Sequence, residues 1–453
     1  MSFDVLTRTK GRVDSYFGIS EHGSTVRREL MAGTITFLAM SYVLAVNPSI
    51  LGDHGALGDK GMPMQAVFTA TAVAAVFGTL VMGIWAKYPV ALAPGMGLNA
   101  FFAYTVVLNM GIPWQQALSG TLLSGIIFFV LAITKVREKI IDAIPMQMKL
   151  AVGAGIGMFV AFLGLKNAGV VVASDATFVH LGDFHKGTTL LALFGLLVTV
   201  IFLVLGWHGA VLYGILSTTV LGIVTGLVEL PSSVAALPHG LDQTFGQAIV
   251  HLPDAFTGQM IIVVLTMLFV DFFDASGTLI GVANQAGLLT KDGKLDRAGQ
   301  ALAADSVGTA AGAIIGTSTT TAYVESTAGV TAGGRTGLTA VSTAGWFLVA
   351  MFFFPLFSVV AGVPAVTAPA LIVVGVLMSR ALGEIDWTRL EYAVPAFITV
   401  IMMPLTYSIA NGIAMGLLFY PVVMVAKRRA REVHPVMWVL MAVFLSYFWF
   451  LAE

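Results

Sequence analysis

The stretch LFVDFFDASGTLIG, residues 268–281, places two carboxylates, Asp271 and Asp274, inside an apolar run long enough to cross a bilayer. A third, Glu325, sits in another such run, and no Lys, Arg or His lies close to any of them in sequence. A charge at the centre of a membrane helix costs about 2.5 to 3.5 kcal/mol on insertion scales. Such residues therefore face a protein interior or a wet cavity, where they handle a solute, an ion or a proton. Positions 271, 274 and 278 share one helical face, which Gly281 and Gln285 continue. A stripe of Ser, Thr and Gln alone would read as hydrogen-bonding glue between helices. Two aspartates within it argue for a face that meets a solute.

The whole chain agrees with that reading. Its 453 residues are 57% hydrophobic and only 10% charged, with a mean hydropathy of +0.91, whereas soluble domains carry about 25% charged residues. The apolar runs have the length of membrane helices, about 17 to 25 residues, rather than the alternating ten-residue segments of a β-barrel. The fold class is all-α and polytopic. A net charge of −1 gives no field suited to nucleic acid. The absence of cysteine excludes disulfides, thiolate metal sites and cysteine nucleophiles. His180, His185, His251 and His434 show no metal-ligand spacing, so no metal or cofactor is expected. Gly153, Gly155 and Gly157 resemble part of a dinucleotide fingerprint, but inside a membrane span they read as close helix packing.

Fourteen spans are expected, near 30–51, 65–86, 90–108, 115–134, 147–165, 188–206, 209–229, 259–284, 301–315, 316–332, 338–361, 365–383, 391–408 and 410–427. With the N-terminus inside, 20 of the 23 Lys and Arg residues fall on the cytoplasmic side and only Lys60, Lys166 and Lys186 outside. That asymmetry follows the positive-inside rule. The apolar stretch 435–451 reads as a further span or an interfacial helix. Residues 1–29 form a polar cytoplasmic segment without a signal peptide. The loop 230–258 lies outside and carries a mildly amphipathic run near 243–252. Asp305, near one end of its span, reads as an interfacial structural residue.

The two halves look related. The third segment of each set of seven is interrupted, by Pro94, Gly95 and Gly97 in one and by the run Thr317, Ser318, Thr319, Thr320 and Thr321 in the other. Seven is odd, so consecutive repeats are inverted in the membrane, and paired broken segments point to a transporter binding site. If the Thr run is extended, a half-helix starts near Ala322, with free N–H groups at its head and Glu325 in its first turns. Asn99 offers both donor and acceptor to a heterocycle edge. Phe101, Phe102 and Tyr104 follow it as stacking or core residues. The expected buried charges are acidic, which suits a ligand rich in N–H donors or a coupled cation. Desolvation disfavours an ionised carboxylate, which gives proton coupling a physical basis; Na⁺ would use the same oxygens.

Residues 91–104 (ALAPGMGLNAFFAY), 268–281 and 316–337 (GTSTTTAYVESTAGVTAGGRTG) resemble the AzgA-like purine permeases, a branch of the nucleobase–cation symporter group. The likeness runs from about residue 18 to 450. It implies fourteen spans as two inverted sevens. The core domain would comprise 30–134 and 259–361, and the gate domain 135–229 and 362–431, with 432–453 a C-terminal apolar segment. Short strands in segments three and ten would pair. It implies that Asp274 and Glu325 bind the base and share in proton coupling with Asp271. Asn99 and groups at Gly95, Gly97, Thr319, Thr320 and Thr321 would complete the hydrogen bonding, and Phe272, Phe273 and Phe101 would stack. Thr278 stands where uracil and xanthine permeases often carry His or Asp, which puts more weight on Asp271. The expected function is import of adenine, guanine or hypoxanthine by proton symport, with an elevator-like movement of core against gate. The expected protein is no enzyme. It would be a multi-pass protein of the cell membrane, and the wider fold suggests a homodimer through gate helices. The rival readings are a transporter of another small solute or anion on the same fold, a structural or receptor-like membrane protein and, further off, an intramembrane enzyme.

Overall fold

The computed structural model describes residues 11–53, 57–134, 145–288, 295 and 297–450. Seven of the cytoplasmic charges counted above, Arg8, Lys10, Lys135, Arg137, Lys139, Lys291 and Lys294, lie outside these residues, as does the side chain of Phe273.

Each of the fourteen expected segments is occupied by an element. Among the described residues nine helices are long and apolar enough to cross a membrane: Val26–Leu51 (segment one), Met64–Ala86 (two), Trp114–Ile133 (four), Met146–Asn167 (five), Gly187–Val204 (six), Gly258–Ala286 (eight), Gly337–Ala361 (eleven), Pro364–Glu384 (twelve) and Ile409–Ala426 (fourteen). Met96–Asn109 (three), Ala210–Val224 (seven) and Leu390–Leu405 (thirteen) are shorter apolar helices. Segment nine is the helix Ala298–Ile315, and segment ten is a strand followed by the helix Ser326–Thr331. A last helix, Pro435–Phe450, packs on segment fourteen and buries Met437, Leu440 and Phe444.

Among the described residues four short strands interrupt the helices: β1 (Leu92–Pro94), β2 (Val171–Ser174), β3 (Phe178–Leu181) and β4 (Thr320–Ala322). β2 and β3 form a hairpin between segments five and six. β1 and β4 come from the two broken segments and pair antiparallel, with Leu92 opposite Ala322, Ala93 opposite Thr321 and Pro94 opposite Thr320. The Gly95 amide extends the ladder at one end to the Thr319 carbonyl oxygen (2.9 Å), and the Tyr323 amide extends it at the other to the Ala91 carbonyl oxygen (3.0 Å). Pro94 lacks an N–H and would leave a helix one hydrogen bond short. Non-helical backbone at membrane depth survives only where protein satisfies it, and here each strand satisfies the other.

The helices pack in two groups. Segment nine lies against two and four, segment eleven against one and two, and segment eight against four. Segment five lies against twelve and thirteen, and segment six against seven and twelve. Small residues set the approach, since apolar burial gives helices in lipid no advantage over lipid itself. A Cβ on Gly308 would sit 3.1 Å from the Leu92 side chain and 3.6 Å from the Gly78 backbone, so the paired strands rest where segments two and nine cross. The expected close packing of segment five holds for two of its three glycines: a Cβ on Gly155 would meet the Met403 sulfur at 2.6 Å and one on Gly157 the Gly375 carbonyl oxygen at 3.0 Å, whereas one on Gly153 would meet nothing within 4 Å.

One polar residue and one loop segment differ from expectation. Glu29, assigned to the polar leader, is fully buried inside segment one. Its carboxylate accepts from the Arg335 and Thr336 amides (3.0 and 3.1 Å) and the Thr339 hydroxyl (2.5 Å), capping segment eleven from another element. The run near 243–252 is not one amphipathic helix. Its only α-helical part is Gln247–Val250, between the 3₁₀ turns Leu241–Gln243 and Leu252–Phe256.

Candidate functional site

The paired strands form a sheet only two strands wide, and their outward groups need partners from the flanking helices. On the outer edge of β1, Thr79 of segment two both accepts from the Leu92 amide and donates to the Leu92 carbonyl oxygen, each at 2.9 Å. On the outer edge of β4, the Asp305 carboxylate of segment nine accepts from the Ala322 amide at 2.8 Å. Thr309, one turn further on, donates to the Thr320 carbonyl oxygen at 2.8 Å. Alternate residues of an antiparallel strand point their backbone groups away from the partner strand, and side chains from segments two and nine stand in for the missing neighbours.

Asp305 is thus wholly buried two turns inside its helix, not at an interface. The helix begins at Ala298, three residues earlier than expected, and carries Asp305 to the level of β4. Asp271 lies on the same side, fully buried, with Oδ2 3.0 Å from the Thr309 hydroxyl. The Thr321 side chain stands beside both acids, which feel each other's charge. Asp271 Oδ1 and Asp305 Oδ2 have no hydrogen-bond partner among the described residues.

Asp274 and Glu325 differ from that pair. Both are only partly buried, and their charges interact. Glu325 is not within the first turns of a half-helix. The ladder keeps residues extended through Ala322, a turn follows, and the helix starts at Ser326, so Glu325 is the residue immediately before it. The Ser326, Thr327 and Ala328 amides already donate to the carbonyl oxygens of Tyr323, Val324 and Glu325, leaving fewer free donors than a bare helix start would offer. The Tyr42 hydroxyl donates to Glu325 Oε1 at 2.6 Å, and the Tyr323 hydroxyl to the Pro94 carbonyl oxygen at 2.5 Å.

Asn99 lies in the first turn after β1, fully buried. Its Oδ1 accepts from the Ser318 hydroxyl, and its Nδ2 has no partner among the described residues. Gly95 and Gly97 allow close approach: a Cβ on Gly95 would lie 2.7 Å from Thr321 Cγ2, and Gly97 faces Ile156 of segment five. The Thr319 and Thr320 side chains are buried with unpartnered hydroxyls. The three Thr, Asn99, Gly95 and Gly97 are therefore gathered around one strand pair. Two of the aromatic candidates, Phe272 and Phe101, are enclosed in the core. Phe272 packs edge-on against Phe128 of segment four (centroids 5.5 Å apart), and Phe101 is equally enclosed at 1% exposure. Neither presents a ring face to an opening. Sequence reasoning missed Tyr42, Thr79 and Thr309. Their only signal was a polar group in an apolar segment.

Two partly buried carboxylates, Asp274 and Glu325, and the Asn99 amide, whose Nδ2 has no partner among the described residues, thus lie on the elements around the strand pair. A protein-family model described as a permease family, Xan_ur_permease, matches residues 27–415. The Bacillus subtilis (strain 168) protein named guanine/hypoxanthine permease PbuG is 54% identical over 443 residues, covering 96% of this chain and 99% of that protein. The Escherichia coli (strain K12) protein named adenine permease AdeQ is 42% identical over 441 residues, covering 97% of each. Among solved structures, the transmembrane domain of a cyanobacterium bicarbonate transporter, BicA, matches with a TM-score of 0.61 at 16% identity, over 85% of this chain and 97% of that one. At that identity the likeness is one of fold.

Proposed function

The chain belongs to the xanthine/uracil permease family of multi-pass membrane proteins, and on that premise we propose that it imports purine nucleobases across a cell membrane by proton symport. The observation that carries this reading is the division of the acids. Asp274 and Glu325 are partly exposed next to the strand pair, while Asp271 and Asp305 are sealed on the outer edge of β4. The accessible pair accepts from ring and exocyclic N–H groups of the base. Asn99 Nδ2 donates to a ring nitrogen or carbonyl oxygen, and backbone at Gly95 and Thr319 closes the site. Asp274 and Glu325 also take up the coupled proton, and Asp271 assists from behind. Acids of this kind suit a donor-bearing ligand better than an anion, which separates this chain from the bicarbonate transporter that shares its fold. Segments one to four and eight to eleven form a core that moves against a gate of segments five to seven and twelve to fourteen, with the N-terminus inside.

The test is uptake of radiolabelled hypoxanthine by proteoliposomes of the purified protein. It is run with an inward proton gradient, an inward sodium gradient or neither, with unlabelled adenine, guanine, xanthine and uracil as competitors. Uptake driven by the proton gradient and blocked by a subset of purines is expected. Sodium-driven uptake would replace the coupling ion, and no uptake of any base by folded protein would end the purine reading.

A further inference from the structure

Segment one breaks into the helices Val26–Met40 and Val43–Leu51, and Tyr42 stands in the break. Its ring is enclosed by the main apolar cluster and is 1% exposed. A buried phenol needs a partner for its hydroxyl, and this one finds it 283 residues away, on Glu325 Oε1 at 2.6 Å. An ionised carboxylate only accepts, so the hydrogen comes from Tyr42. The separation is that of a charge-assisted O–H···O⁻ bond. The ring cannot move without disturbing the packing around it, so its hydroxyl is a fixed point. Glu325 is a flexible side chain in a turn, partly exposed. With Oε1 held, its rotamer is held, and Oε2 is the oxygen that Tyr42 does not engage. Tyr323 acts in the reverse direction, from segment ten onto the Pro94 carbonyl oxygen of β1. The two tyrosines thus tie the start of each half-helix to the opposite half of the chain.

We propose that Tyr42 is a positioning residue for solute recognition: it occupies Glu325 Oε1 and aims Oε2 at the transported base. This rests on the purine-transport reading above. Tyr42 itself does not touch the base. Losing the phenol hydroxyl lets the carboxylate adopt several rotamers, so the base binds less well while translocation proceeds at its former rate once the base is bound.

The experiment measures hypoxanthine uptake kinetics in proteoliposomes for the wild type, Tyr42→Phe and Tyr16→Phe. Tyr16 also donates one phenol hydrogen bond, to the Ile84 carbonyl oxygen at 3.1 Å, but on the exposed surface. KM for Tyr42→Phe is expected to rise about tenfold with Vmax per folded protein within about twofold, the pattern of lost ground-state binding. Tyr16→Phe is expected to keep the wild-type KM. KM does not depend on how much protein is folded, so partial misfolding does not blur the result. Tyr42→Met serves as a second hydroxyl-free variant if the Phe variant cannot be purified. A wild-type KM in the variants, with only Vmax lowered, would reduce Tyr42 to a packing residue while leaving the transport reading intact. A wild type that moves no purine would remove both.

Discussion

Replacing Thr79 by Val tests whether the strand pair depends on its edge contacts. Thr79 is fully buried, and its hydroxyl serves both the N–H and the C=O of Leu92. Val has nearly the same shape, so the substitution removes the hydroxyl and leaves packing almost unchanged. Both Leu92 groups then remain buried without a partner on that side of β1. An orphaned buried polar group costs about 1–3 kcal/mol, so the pair costs about 2–6 kcal/mol. Ser at the same position keeps both hydrogen bonds and loses one methyl group. Thermal unfolding of the detergent-solubilised protein, followed by tryptophan fluorescence, should show Thr79→Val melting several degrees below wild type and Thr79→Ser close to it. A Val variant melting within about 1 °C of wild type would refute the argument, because for a chain of this length that margin corresponds to about 1 kcal/mol, below the cost of two orphaned groups.

Other substitutions separate the remaining roles. Glu325→Gln should lower purine uptake by about 100-fold or more while the protein still inserts and folds; normal uptake would remove Glu325 from the site. Gly95→Ala places a methyl 2.7 Å from Thr321 Cγ2 and should destabilise the protein by about 1–3 kcal/mol through overpacking. Thr321→Ser removes that methyl and should restore much of the loss in the double variant, whereas additive effects would contradict the contact. Asp305→Asn retains an acceptor for the Ala322 amide and should melt near wild type, while Asp305→Leu should lose about 1–3 kcal/mol. Equal damage from both would mean that the charge or proton of Asp305 matters more than its acceptor.

Much of this was legible in the sequence, and the limits follow from physics. Asp271 and Asp274 declare themselves because a bilayer penalises charge so steeply. Pro94 and the Thr run mark broken helices because neither suits an uninterrupted one. Thr79 and Thr309 could not be singled out. A hydroxyl in a membrane helix ordinarily bonds its own backbone, as Thr71, Thr121, Thr199 and Thr218 do to the carbonyl oxygen four residues back. Nothing local distinguishes a threonine that instead serves a strand. Asp305 was misplaced because its depth depends on where the helix begins, and a shift of three residues moves it from an edge to the level of β4. Tyr42 and Glu29 act on residues about 300 positions away. The enclosure of Phe101 and Phe272 was hidden for a simpler reason: composition shows that a ring is present, but only packing shows how deeply it is buried.

The strand pair also sets an order of events during synthesis. Tyr323, which closes onto the Pro94 carbonyl oxygen, is made 229 residues after it. At about 5–20 residues per second, the ribosome leaves β1 waiting for its partner for about 10 to 50 s. During that interval the inner edge of β1 has no strand beside it, and lipid cannot satisfy its backbone. The first half of the chain therefore reaches the membrane before its own centre can close, and β1 is paired only when segment ten of the second half arrives.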